Sequence, residues 1–445
     1  MSLLTNLSAT VVQANQGYIN LPAPRPLYPS FAQRQGPLYS SDFNVYGLGA
    51  SVALSFEGQT MAHVYVNSDS EKFELAIYWR EESGAYTLVQ TIVPEPQEYT
   101  GERLKVELSS DGNICVVGNL ETSADAGLGS IYIYRKVSTG VSPSQFEFVD
   151  VAGRITGSQY SGFGCSLAIA QLPQQQDYTI AVGASHLNDD PGVVGEVFLL
   201  RLWIRTPENI YLSNTQVVSV SYDFDAFGYS VALNAKGTML AVGDPFYQEN
   251  KGGVWLYLKD PETNLFVPLG TGDVLQPTGL YLAEPYFGQS VSLSGSGTTL
   301  SIGAPNDRSG LGSVIIYYID PVAEIADQGP TITPVVAGDI TTALDYIGGV
   351  GVSQKLSKDG NTLLVGSVSE SESSSIWVYN RLTLAQWLPN GVQRFGRDQV
   401  SNTAAYATGN EVALSGNGQV AAAIGLMPIE EAPVFFFSGP VFVFA

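Results

Sequence analysis

Histidine, cysteine and paired carboxylates carry most side-chain catalysis, and this chain is sparing with the first two. It has two histidines, His63 and His186, and two cysteines, Cys115 and Cys165, in 445 residues. Neither histidine lies in an H-E-x-x-H run or at a Cys/His metal spacing. His63 reads as strand packing and His186 as a solvated loop residue. Two cysteines cannot build a disulfide framework, and they read as buried thiols on neighbouring strands. No nucleophile–base–orienter set stands out, and there is no P-loop. Paired carboxylates remain open to glycoside hydrolysis, because that chemistry imposes no sequence spacing. The expectation from these residues is a protein that is not an enzyme, with no catalytic residue, no cofactor and no metal.

Acid is what the chain has in excess: 42 Asp and Glu against 20 Lys and Arg, for a net charge of −22. Such a surface repels nucleic acid and anionic membranes, so neither is expected as a partner. No run approaches the roughly 20 apolar residues of a membrane span. The first residues lack the basic and apolar regions of a secretory signal. Charged residues are only 14% of the chain and hydrophobic ones 44%, too apolar a composition for disorder.

The elements that would position any site come from an internal repeat. Phe163-Gly-Cys-Ser, Phe227-Gly-Tyr-Ser, Phe287-Gly-Gln-Ser and Leu48-Gly-Ala-Ser open its clearest copies, and VGVSQKLS, TGNEVALS and ERLKVELS are weaker ones. The anchor residues are Leu54, Leu108, Ile169, Leu233, Leu293, Leu356 and Leu414, spaced 54, 61, 64, 60, 63 and 58 apart. A glycine follows four residues after six of the anchors, where a tight hairpin needs positive φ. The third copy has QLPQQQD instead. Next come an apolar strand ending in glycine, a polar loop, a third strand such as GGVWLY, and a weaker fourth strand such as LFVPLG.

Four short strands repeated seven times predict an all-β fold, a seven-bladed β-propeller of four-stranded antiparallel blades. The repeats span about 45–98, 99–157, 158–221, 222–281, 282–340, 341–400 and 401–445. The last copy lacks a fourth strand, and Phe31 to Tyr39 is expected to supply it, pairing with the strand that ends at Phe444. Residues 29–445 then form one domain, with 29–44 supplying the last strand. Residues 1–28, with LPAPRPLYP late in them, form an extended N-terminal arm.

Phe287-Gly288 with Gly303-Ala304-Pro305, and the near matches at Phe227-Gly228 and Phe163-Gly164, resemble the FG-GAP repeat of integrin α-subunit propellers and of bacterial and viral surface proteins. The resemblance covers about residues 45 to 445 and implies adhesion-type roles. The family's Asp-x-Asp-x-Asp-Gly calcium loop is absent; the hairpins read Ser109-Ser110-Asp111-Gly112 and Ser357-Lys358-Asp359-Gly360, too poor in oxygen ligands for calcium.

Acidic residues recur in two loop sets that such blades would bring to one face. The candidate docking face is Asp189, Asp190, Asp225, Asp244, Glu284, Asp307 and Asp345. Either these are solvated loops of an acidic chain, or they receive a basic partner or a cation. The functional expectation is a noncatalytic structural or recognition protein on a virion surface, capsid- or tail-associated, touching other virion or surface proteins through the arm and the acidic face. The alternatives are an extracellular or cell-surface adhesion module, a glycan-binding lectin and a carbohydrate-active enzyme.

Overall fold

In a computed structural model, the structure describes residues 33–38, 51–67, 70, 72–95, 103–120, 129–140, 146–157, 162–171, 176–185, 194–206, 209–220, 226–279, 284–333, 349–367, 375–394, 407–428 and 436–444. The arm expected at residues 1–28 and His186 lie outside them.

The strands among these residues form seven antiparallel sheets. The first pairs Ser51–Leu54, Thr60–Asn67, Lys72–Arg80 and Tyr86–Ile92 in chain order. The second runs Arg103–Leu108, Ile114–Leu120, Ser130–Ser138 and Phe146–Asp150, with Ile155–Thr156 added on the third strand. The third is Phe163–Gln171, Asp177–Ala184, Glu196–Thr206 and Asn209–Ser219; the fourth is Ser230–Leu233, Met239–Asp244, Gly253–Lys259 and Phe266–Pro268. The fifth comprises Val291–Leu293, Thr299–Ala304, Ser313–Asp320 and Ile325–Ile332, and the sixth Ser353–Leu356, Thr362–Gly366, Ser375–Thr383 and Gln386–Arg394. The seventh joins Ala407–Leu414, Ala421–Pro428 and Phe436–Phe444 to Gln33–Leu38, with Gln33 opposite Phe444 and Leu38 opposite Val441. The fold is therefore all-β, built of repeated four-stranded antiparallel sheets. Among the described residues no helix is long and apolar enough to cross a membrane.

The hairpins form for local reasons. The residue after each described turn's anchor caps the hairpin: Ser109 Oγ accepts from the backbone N–H of Asn113 and Ile114 at 3.1 and 2.9 Å, and Asn234 Oδ1 does the same for Thr238 and Met239 at 2.8 and 3.1 Å. The turn glycines, such as Gly112 and Gly237, have φ of +68° and +62°, where a side chain would be strained.

The core lies between the sheets, because each sheet has two apolar faces to cover. Leu75 and Ile77 pack with Val106 and Tyr132 between the first and second sheets, and Leu199 and Val197 with Leu240 and Trp255 between the third and fourth. Val52, Met61 and Tyr65 of the first sheet pack with Ala422, Ile424 and Val441 of the seventh.

The Phe-Gly-x-Ser motif is the hinge between neighbours. Its serine reaches the motif glycine of the next sheet: Ser166 Oγ donates to Gly228 O, Ser230 Oγ to Gly288 O and Ser290 Oγ to Gly351 O, each at 2.7 Å. Phe163, Phe227 and Phe287 are buried beside these bonds. Losing the bond strands a buried carbonyl, so Ser230→Ala is expected to cost about 1–2 kcal/mol in urea unfolding. An unchanged midpoint would show that the bond adds nothing.

Candidate functional site

The sites proposed for the acidic residues divide. Asp189, Asp190, Asp225 and Asp345 lie outside the described residues. Glu284 is exposed, and its backbone carbonyl accepts from Asn306 Nδ2 at 2.7 Å. Asp244 and Asp307 are 0% exposed. This corrects the reading of both as part of a solvated docking face. Asp244 Oδ1 accepts from the backbone N–H of Phe246 and Tyr247 at 3.0 and 3.1 Å, and Asp307 Oδ2 accepts from Ser313 Oγ at 2.9 Å. Both organise short turns whose next residues, Gln248 and Glu249 or Arg308 and Ser309, hold left-handed backbone at φ between +49° and +63°. These carboxylates face their own loops.

The hairpin acids are likewise committed. Asp111 Oδ2 accepts from Tyr178 Oη at 2.9 Å and from Gln171 Nε2 at 2.8 Å, which ties the second sheet to the third. No group of His, Cys, Asp or Glu suited to a metal ion occurs among the described residues. His63 sits in the strand Thr60–Asn67 at 6% exposure, with its ring 5.1 Å from that of Tyr65. Cys115 and Cys165 are buried and free, in adjacent sheets, and burial pushes the Cys115 thiol up.

Charge converges instead on the first strands of the repeats. The seven anchors, Leu54, Leu108, Ile169, Leu233, Leu293, Leu356 and Leu414, line one cavity of about 90 Å³ together with Glu107, Lys355 and Lys358. Around its hairpin end runs a chain of backbone hydrogen bonds. Phe56 N donates to Ser110 O, Ala235 N to Gly295 O, Gly295 N to Lys358 O, Lys358 N to Gly416 O and Asn417 N to Phe56 O, at 2.6 to 3.1 Å.

Comparing repeats position by position shows what is unusual. Three residues before the anchor, five copies have serine (Ser51, Ser166, Ser230, Ser290, Ser353), and the other two have Lys105 and Glu411. Those two form an ion pair of 2.6 Å between the second and seventh sheets, each 21% exposed, and Ser51 Oγ of the first sheet donates to the same Glu411 oxygen at 3.3 Å. One residue before the anchor, five copies have Ala or Ser, and the other two have Glu107 and Lys355. Those two also pair, between the second and sixth sheets. Burial alone would lower the Lys355 pKa, but the Glu107 carboxylate, with Glu411 behind it, raises it above the usual lysine value. Each departure in these two layers is thus answered by one of opposite sign on a non-adjacent sheet.

Two residues after the anchor the copies read Phe56, Ser110, Gln171, Ala235, Gly295, Lys358 and Gly416. Lys358 is the one charged member. Burial lowers its pKa, Glu107 raises it and Lys355 lowers it again. The charges at this site are carried by the three copies that match the repeat least well. The departures from the repeat were the available signal, and a search for catalytic residue types passes over them.

No family model matches the chain, and no curated protein matches it. Solved structures similar in fold include a putative 6-phosphogluconolactonase from Bacteroides fragilis, 12% identical with a TM-score of 0.50 over 87% of this chain and 97% of that one. Others are the hydrazine synthase of Kuenenia stuttgartiensis, 12% identical with a TM-score of 0.48 over 88% and 95%, and a prolyl endopeptidase, 12% identical with a TM-score of 0.42 over 89% and 50%. The first of these likenesses supports a β-propeller-like fold and extends to the fold alone. The comparisons also correct the functional expectation. The one named structure that reaches a TM-score of 0.50 carries the name of a putative lactonase, not of a virion or adhesion protein. The noncatalytic virion reading, with its adhesion and lectin alternatives, is withdrawn.

Proposed function

We propose that the chain is one closed, seven-bladed propeller with FG-GAP-type repeats, and that the hairpin end of its axial channel binds a small polar ligand. The packing of the first sheet on the seventh, the Asn417–Phe56 hydrogen bond and the pairing of Gln33–Leu38 with Phe436–Phe444 support closure. A single observation carries the functional reading: the seven anchors converge on one cavity that also holds Glu107, Lys355 and Lys358. A purely structural plug needs only apolar side chains there, and pairing charges in a confined channel is at best a neutral way to hold sheets together. Polar groups kept in a cavity are the usual mark of a ligand site. At about 90 Å³ the cavity has room for roughly half a dozen waters. Pockets for drug-sized ligands run to roughly 300–1,000 Å³.

Ligand-observed NMR with a library of small polar metabolites tests this. Leu233→Phe projects a larger ring into the cavity and is expected to abolish binding seen with the wild type. Its cost to stability, about 1–3 kcal/mol from overpacking, is followed by thermal unfolding. Glu284→Gln on the exposed loop is expected to leave binding unchanged. Binding that survives Leu233→Phe in a folded protein would overturn the channel reading.

A further inference from the structure

We propose that the ligand of this channel bears a small oxyanion, a phosphate or carboxylate group, held against Lys358. The inference rests on the channel being the binding site and names the chemistry it takes.

Charge is balanced in two layers of the channel and unbalanced in a third. In the layer of Lys105 and Glu411, and in that of Glu107 and Lys355, every ammonium has a carboxylate. In the next layer Lys358 stands among Phe56, Ser110, Ala235, Gly295 and Gly416, and among the described residues no carboxylate lies within ion-pair distance of it. Three lysines against two glutamates leave one positive charge (3 − 2 = +1) in the channel of a chain whose net charge is −22.

An uncompensated ammonium beside a second one is costly in a confined space, since attraction and repulsion are both screened less than in bulk water. A surface lysine in so acidic a chain would find a partner cheaply. Lys358 is held instead at the cavity wall by its own backbone, whose N–H and C=O bond to Gly416 and Gly295. The fixed backbone aims the side chain, and the cavity volume matches one small anion with a few waters. Glu107 attracts Lys358 as well, but its single charge is already matched by the paired Lys355 and leaves the two ammonium groups one carboxylate short. A mobile anion is the missing counter-charge.

Isothermal titration of the full chain with inorganic phosphate and with acetate, in chloride-free buffer at neutral pH, tests the assignment. The expected result is one bound equivalent of at least one of the two, weakened about tenfold or more by Lys358→Met and recovered in part by Lys358→Arg. Phosphate preference would assign a phosphate-bearing ligand, and acetate preference a carboxylate-bearing one. Lys236→Met, at an exposed hairpin lysine, changes the net charge by the same amount and is expected to bind as the wild type does. Equal binding by Lys358→Met and the wild type, or binding of neither anion by the wild type up to about 10 mM, corresponding to roughly −2.7 kcal/mol, overturns the proposal. If neither anion binds while the metabolite library still yields ligands lost in Leu233→Phe, the channel reading stands and the oxyanion assignment falls.

Discussion

Lowering the pH from 7 towards 4 is expected to destabilise the wild-type protein by a few kcal/mol more than it destabilises His63→Leu. His63 is 6% exposed, its Nε2 has no hydrogen-bond partner, and burial pushes its pKa down from 6.5 to about 3. The folded state therefore refuses the proton until about pH 3, whereas the unfolded chain accepts it near pH 6.5. Between those values the unfolded state binds more protons, so stability falls as the pH falls, by up to about 1.4 kcal/mol per pH unit. Above pH 6.5 the group contributes no slope. Carboxylates titrate in both proteins, and the difference between them isolates His63. Urea unfolding at pH 7, 6, 5 and 4 measures it, and parallel pH profiles for the two proteins would sink the idea. At pH 7 the leucine variant is expected to be no less stable than the wild type, because it removes a buried, unpaired nitrogen.

The second large effect concerns the backbone contact between sheets. Gly252→Ala is expected to lose about 3–5 kcal/mol, enough to unfold a marginal domain. Gly252 has φ of +79°, and a Cβ built on it would lie 1.9 Å from Phe287 O and 2.6 Å from Phe287 N. Both are backbone atoms, held by the buried Phe287 ring, and neither can swing aside. The same contact recurs at Gly312, where a Cβ would lie 2.3 Å from Val350 O. Gly153 is the control: its φ is +71°, but nothing lies within 4 Å of a Cβ there. Gly153→Ala is expected to cost only the left-handed backbone strain, about 1–2 kcal/mol. Guanidinium unfolding of both variants separates strain from collision. Equal losses would mean that the close approach of the sheets contributes nothing.

These two residues show how unevenly the molecule was legible. His63 was readable as a packing residue from its place in a strand, but its missing hydrogen bond was not, since that depends on which groups meet inside the sheet. The positive-φ hairpin glycines were readable from turn chemistry, which is local. The Phe-Gly-x-Ser motif was readable as a repeat, yet its role as a bond from one sheet's serine to the next sheet's glycine carbonyl was not. Asp244 and Asp307 went the other way. Their loop positions suggested solvation, and the structure folds both carboxylates inward onto backbone N–H groups and Ser313.

By itself the sequence determined what depends on neighbours a few residues apart: the seven copies, the strands and turns within each copy, and the absence of helical periodicity. Local backbone preference and side-chain alternation act over that range. Only the tertiary structure decided that Lys105 meets Glu411 across 306 residues, and Lys355 meets Glu107 across 248. Those pairs join sheets that are not sequential neighbours, so no local pattern encodes them. They exist because the anchors of all seven first strands are brought to one cavity, where side chains distant in sequence are within reach of each other and poorly screened by water. Lys358, alone in its layer, acquires its meaning only from that same convergence.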